Sequence, residues 1–257
     1  MDPAVLREDM VDGVDHALGG LDEALGVAMR TVPRHVFVEE RPYDNRASEH
    51  AGTEALAPRT VARLLGALDA REDDSVLVVG VGVGYTAALL AELVGDRRVH
   101  AVDIARRLVL DARRNLQQAG YEGVLVDCRD GADGLPEYAP FDRVLVEASA
   151  VRPPRALLDQ LVSDGRLVMP MGTPEPTLVA VEPDDSPEGY AVDEEFGPAT
   201  LAPLLVDGEQ AGGVTRNRTE REDREFGEQG YFAPTGWEHE WIDWDDRLDG
   251  GRGHHRR

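Results

Sequence analysis

Residues 75–93, SVLVVGVGVGYTAALLAEL, constrain this chain more than any other stretch. Val76, Leu77, Val78 and Val79 form an unbroken apolar run, the pattern of a parallel strand covered on both faces. Gly80, Gly82 and Gly84 follow at alternate positions. Without side chains there, the backbone can turn tightly and come close to a ligand, and the helix beginning near Tyr85 aims its unpaired first-turn N–H groups at that ligand. The reading is a strand, a glycine turn and a helix that hold a nucleotide-like cofactor, with Val81 and Tyr85 beside the glycines in the contact. A plain packing turn has the same local pattern. The spacing, G-x-G-x-G, departs from the G-x-G-x-x-G of dinucleotide dehydrogenases.

Around this unit the chain alternates strand and helix. Apolar residues from Val5 to Met29 recur at helical spacing and predict two short helices split at Gly19–Gly20. Residues 32–58 show little periodicity and read as a long functional loop. A helix over Arg59–Leu68 precedes the glycine unit. Beyond it, strands are expected at Arg98–Val102, Gly123–Asp127, Phe141–Val146, Arg166–Pro170, Thr177–Glu182 and Thr200–Val206. Helices are expected at Ile104–Ala119 and Pro153–Val162. The fold class is α/β, a doubly wound, mostly parallel, seven-stranded Rossmann-like sheet with ligands at the carboxyl ends of its strands. The expected organisation is N-terminal helices and substrate loop over 1–70, a cofactor domain over 71–206, and a tail over 207–257. In that tail, a polar linker leads to Trp237, Trp241, Trp244 and Leu248 at helical spacing, a stripe suited to docking on the domain or forming a homo-oligomer.

Charge speaks to habitat more than to partners. The chain carries 50 acidic and 27 basic residues for a net charge of −23, and every basic residue other than histidine is arginine. A lysine-free acidic surface suits a salt-rich cytoplasm, where screening limits self-repulsion. No basic stripe is present to neutralise phosphates, so nucleic acid is not an expected partner. One cysteine, Cys128, leaves no intramolecular disulfide and no multi-cysteine metal site, and no metal is expected. No apolar run approaches a membrane span, and the N-terminus lacks a signal-peptide pattern.

Two further positions carry ligand chemistry. Asp103 ends the second strand of the alternating region, where an acid can accept both hydroxyl hydrogens of a ribose; an Asp there also serves as a helix cap. Asp130 and Gly131 follow the third strand and are placed to flank an adenine ring, in competition with a simple Asp-Gly turn.

Taken in order, VPRHVFV, PYDN, VLVVGVGVGYTAALLAEL, RDGADGLPEYAPFDRVLVEAS and PPRALLDQLVSDGRLVMPMG resemble blocks of the protein-L-isoaspartate O-methyltransferase family, over roughly Val11–Glu182. The resemblance implies an enzyme that uses S-adenosylmethionine (SAM) to esterify isoaspartyl carboxylates in damaged proteins. It implies that Gly80, Gly82 and Gly84 hold the methionine part of SAM, Asp103 its ribose, and Asp130 with Gly131 its adenine.

Two departures bear on that implication. In the family's GQTIS-x-Pro segment this chain has Gly52, Thr53, Glu54, Ala55, Leu56, Ala57 and Pro58. Leu56 stands at the serine that seats the substrate, and Glu54, at the threonine, would repel an anion. Thr53 is the candidate to substitute for that serine, and Asp44 matches the acid of a Tyr-x-Asp pattern; these two are the candidate catalytic residues. His50 reads as a solvated loop residue, since methyl transfer to a carboxylate needs no base. The family's acid two residues before the first glycine is Val78 here, a loss of roughly 1–3 kcal/mol of cofactor affinity. Glu147, at the end of the fourth strand, is placed to compensate in part, or is simply a solvated acid. Two alternatives stay open: a methyltransferase with another acceptor, and a catalytically silent protein of the same fold.

Overall fold

In the computed structural model, which describes Asp2–Leu205, the chain forms three N-terminal helices and a small hairpin against a seven-stranded sheet. The elements in order are α1 (Pro3–Leu18), α2 (Glu23–Thr31), β1 (Ser48–His50), β2 (Thr53–Ala55), α3 (Pro58–Leu68), β3 (Val76–Val79), α4 (Tyr85–Val94), β4 (Val99–Asp103), α5 (Arg106–Ala119), β5 (Leu125–Cys128), β6 (Phe141–Val146), α6 (Arg155–Leu158), β7 (Leu161–Met171), β8 (Thr177–Pro183) and β9 (Tyr190–Pro198). The Trp237, Trp241 and Trp244 stripe lies outside the described residues.

The local sequence accounts for the helix ends. Asp2 caps α1, accepting from the Ala4 N–H at 2.9 Å, with Pro3 preset for the first helical position. Gly19, in the left-handed region at φ +74°, ends that helix. Asp22 caps α2 through the Leu25 N–H.

Strands β5-β4-β3-β6-β7 are all parallel, and β8 and β9 extend the sheet antiparallel, each to the strand before it. Val76–Val79 is buried throughout because both faces are covered. Val76 and Val78 share a core with α1–α5, while Leu77 and Val79 pack on the opposite face with Leu135, Phe141, Val144 and Leu157. At roughly 1.5–3 kcal/mol for each large apolar side chain fully buried, these two layers fix the register of the central strand. Met10, Val11, Leu25 and Met29 lie in the same cluster as Val78 and Leu89, so residues of the N-terminal helices share a core with the sheet.

Three expectations are corrected. The helix expected over Pro153–Val162 is only Arg155–Leu158, and Leu161 and Val162 already belong to β7. Gln160 ends it: its buried amide accepts from the Leu135 N–H and donates to the Asp133 and Ala156 carbonyls, which turns the chain into the sheet. Among the described residues the last strand is Tyr190–Pro198, and residues 200–205 of the expected Thr200–Val206 strand form no regular strand. Its run Asp193, Glu194, Glu195 reads as loop, yet charge is how an exposed edge strand avoids pairing with another chain, and Arg166 binds Asp193 and Glu194. Residues 201–204 instead cross to Ser149, whose hydroxyl accepts from the Leu201 N–H and donates to the Leu201 carbonyl. Finally, the 32–58 loop contains a hairpin, closed by Ala51 and Gly52, both at positive φ.

Candidate active site

The carboxyl tips of β3, β4, β5 and β6 stand side by side, and the residues singled out for cofactor binding collect there. Gly80, Gly82 and Gly84 all adopt positive φ, +88°, +52° and +92°. Each has its own reason to lack a side chain. A Cβ on Gly84 would press on the Ala112 backbone at 3.4 Å, so this glycine lets α4 and α5 approach, whereas one on Gly82 would meet nothing within 4 Å and looks onto open space. The N–H groups of Gly80 and of the buried Val81 both donate to the Val102 carbonyl, tying the turn to β4. No side chain caps α4, whose first turn faces the ligand end of the turn with its backbone donors.

Asp103 is the second half of the turn's support. Its carboxylate accepts from the Gly82 N–H at 3.1 Å and from the Ala105 N–H at 2.9 Å. It is 8 % exposed, and burial pushes its pKa up against the pull of those two donors. The cap reading and the ligand reading are both compatible with this geometry, because each carboxylate oxygen keeps a further lone pair.

Asp130 accepts from the Ala132 N–H at 2.8 Å and so opens the short turn Gly131–Asp133. That turn sits directly on the central strand: a Cβ on Gly131 would overlap Val79 Cγ1, which no side chain tolerates. Glu147 is the fourth contributor. Its N–H donates to the Val79 carbonyl at 2.8 Å, and its Cβ lies beside Gly80. Its Oε1 is buried and has no hydrogen-bond partner. Burial, reinforced by the neighbouring Asp103 and opposed by the Thr86 hydroxyl, pushes the Glu147 pKa up to about 7. The residue as a whole is half-buried, but its Oε1 is not solvated.

Tyr85 contributes differently from its neighbours. Its ring is buried, edge-on to Phe37 and beneath the Arg34 guanidinium, whose carbon is 4.4 Å from the ring centroid. What it can offer a ligand is its backbone N–H. Arg34, 1 % exposed, also donates from Nε to the Pro42 carbonyl at 2.7 Å and from Nη2 to the Leu56 carbonyl at 2.6 Å. One side chain thus joins the helix after the glycine turn to the middle and to the C-terminal end of the loop. The sequence pattern of VPRHVFV gives its arginine no role, because the groups it satisfies are distant along the chain.

The substrate-loop candidates occupy that loop. Thr53 pairs with His50 across the Ala51–Gly52 turn, and Glu54 pairs with Glu49. Because side chains alternate along a strand, exposed Glu54 is on the face opposite Thr53 and buried Ala55. Leu56 is half-buried against the main core. Asp44 pairs with Arg41 at 2.6 Å. His50 is not free in solvent: its Nε2 lies 3.1 Å from Asp111 Oδ2 on α5, fastening the hairpin to the helix. Among the described residues, no group of three or more His, Cys, Asp or Glu is arranged to hold a metal, and no helix is long and apolar enough to cross a membrane.

A doubly wound sheet with a glycine turn after its central strand and an acid at the tip of the next is the frame of a protein that binds a nucleotide-like cofactor. Residues 10–198 match the family model described as protein-L-isoaspartate(D-aspartate) O-methyltransferase, and the chain belongs to that family. Proteins named protein-L-isoaspartate O-methyltransferase are 40% identical in Aeropyrum pernix, over 69% of this chain and 71% of that protein, and 37% identical in Methanococcoides burtonii, over 72% and 94%. A solved protein-L-isoaspartate O-methyltransferase superposes with a TM-score of 0.69 at 22% identity, covering 80% of this chain and 67% of the other. A Plasmodium falciparum protein of the same description, in complex with S-adenosyl-L-homocysteine, gives 0.67 at 20% identity, covering 77% and 97%.

Proposed function

We propose that the protein binds SAM across the tips of β3 and β4 and directs its methyl group to the isoaspartyl carboxylate of damaged proteins, starting their repair in the cytoplasm. The observation that carries this reading is the shared support of the turn: Asp103 holds the Gly82 N–H while Gly82 itself opens onto unfilled space. A ligand of this kind fits that arrangement. Gly80, Val81, Gly82 and Gly84 shape the bed for the methionyl arm, Asp103 takes the ribose hydroxyls, and Asp130 with Gly131 borders the adenine. When bound, SAM supplies an electrophilic methyl group on a sulfonium.

The chain's own task is then positioning. An ionised acceptor carboxylate is already a nucleophile, so holding it in line at about 3 Å, with water excluded, supplies most of the acceleration. Thr53, on the hairpin face shared with Ala55, is the hydroxyl assigned to seat that carboxylate, and Asp44, held by Arg41, borders the loop. Glu54 faces Glu49 on the opposite side, which keeps its charge off the anionic acceptor.

The test is incubation with methyl-labelled SAM and an isoaspartyl peptide at high salt. A base-labile methyl ester on the peptide supports the reading. Binding of S-adenosylhomocysteine without such an ester would favour a second reading, a changed acceptor, for which apolar Leu56 is the motivating observation.

A further inference from the structure

The least satisfied group at the strand tips is the Glu147 carboxyl. Strand register sets Val79 beside Val146, so the residue after β6, Glu147, stands next to Gly80 at the start of the turn. Its backbone is pinned by the 2.8 Å bond from its N–H to the Val79 carbonyl. Its Oε1 is sealed from solvent with no donor in reach. A buried acceptor left unmade costs roughly 1–3 kcal/mol, more when charged, and a protein that retains one generally has a use for it.

The surroundings point to the sign of what is missing. Three elements meet Glu147: β3 brings Val79 and Gly80, α4 brings the Thr86 hydroxyl, and β4 brings Asp103, a second carboxylate. Among the described residues no arginine or histidine offsets the two acids there. Asp103 already holds two backbone N–H groups, whereas Oε1 of Glu147 holds none. The central strand offers no acid of its own, since Val78 is apolar and fully buried. The charge balance at these strand tips is therefore short of one cation, at Glu147.

Building on the SAM reading, we infer that Glu147 is a cofactor-binding residue that receives the cationic methionyl arm of SAM, through its α-ammonium group. The neighbouring strand thereby supplies the carboxylate that β3 lacks. A consequence is linkage to protons. With a pKa of about 7, the empty site is largely protonated under mildly acidic conditions. A cation settling against Oε1 favours the ionised form, so binding releases a proton and affinity climbs with pH until the empty site is itself ionised.

The experiment is calorimetric titration of the full chain and of Glu147→Gln with S-adenosylhomocysteine, which keeps the α-ammonium, and with adenosine, which lacks the whole arm. The wild type should bind S-adenosylhomocysteine about tenfold more weakly near pH 6 than near pH 8, with a heat that varies with the buffer's ionisation enthalpy. Glu147→Gln should bind it about tenfold or more weakly at the higher pH, without pH dependence and without proton release. Adenosine should bind both proteins alike at both pH values, which also shows that the variant keeps its pocket. If Glu147→Gln binds S-adenosylhomocysteine as tightly as the wild type, or the wild type releases no proton, the Glu147 assignment is overturned while the SAM reading stands. If neither compound binds the wild type, both fall together.

Discussion

The Arg34 guanidinium lies over the Tyr85 ring, its central carbon 4.4 Å from the ring centroid, while two of its nitrogens donate to the Pro42 and Leu56 carbonyls. The first residue of the helix that follows the glycine turn is thus clamped to the loop that carries the acceptor-side candidates. Burial lowers the Arg34 pKa, opposed by the neighbouring Tyr85, and a guanidinium held there needs its donors satisfied in place.

Removing that clamp should cost both stability and coupling. Arg34→Ala leaves two half-buried carbonyls without their donor and opens a void, a loss of about 3 kcal/mol. Arg34→Lys keeps the charge but not the planar fork, and should fall between. Urea unfolding at high salt gives the stabilities. The same variants should raise KM for an isoaspartyl peptide, and a wild-type KM in Arg34→Ala would contradict the clamp.

Gly131 is set by contact rather than by backbone conformation, since its would-be Cβ overlaps Val79 Cγ1. Gly131→Ala should destabilise the protein by about 1–3 kcal/mol as the adenine-side turn is pushed off β3. In a Val79→Ala background the overlapping methyl is gone, and the same change should cost much less. A double-mutant cycle by thermal melts measures the difference, and additive costs would show that the two positions do not meet.

The Glu147 carboxyl predicts a pH dependence of stability for the ligand-free protein. Its folded pKa, about 7, is above the 4.5 of an exposed glutamate, so between these values the folded state binds the extra proton. The stability this confers is full below about pH 4.5 and is lost as pH rises through 7, on the order of 3 kcal/mol in all. Glu147→Gln removes the titration. The wild type minus variant difference in unfolding free energy should therefore decline from about pH 5 to about pH 8, and a flat difference would contradict the shift.

Much of this was legible because the central strand is covered on both faces. Continuous apolar runs such as VLVV and VLV leave little choice of element, and Phe141–Val146 falls where its run predicts. The misses share a physical cause: tertiary contacts overrode the local pattern. The helical periodicity of Pro153–Val162 ignores Gln160, whose three hydrogen bonds are to residues both near and distant in sequence. The strand Tyr190–Pro198 is hidden by acids that its partner Arg166 neutralises. At the site, Asp103 and the glycines could be picked out by position along the strands. Arg34 could not, because its role is to satisfy carbonyls eight and twenty-two residues away.

The hairpin separates two neighbouring residues that the linear sequence treats alike. Thr53 lies on the face shared with buried Ala55, and Glu54 on the exposed face opposite Glu49. Losing the Thr53 hydroxyl in Thr53→Val removes a hydrogen bond to the acceptor and should raise KM for an isoaspartyl peptide about tenfold. Glu54→Gln should leave KM nearly unchanged and make the protein slightly more stable, because it relieves a like-charge pair directly across the ladder. Steady-state kinetics on the two variants decide the matter: a large gain in kcat/KM for Glu54→Gln would mean that its carboxylate does face the acceptor, and that the hairpin rearranges when substrate arrives.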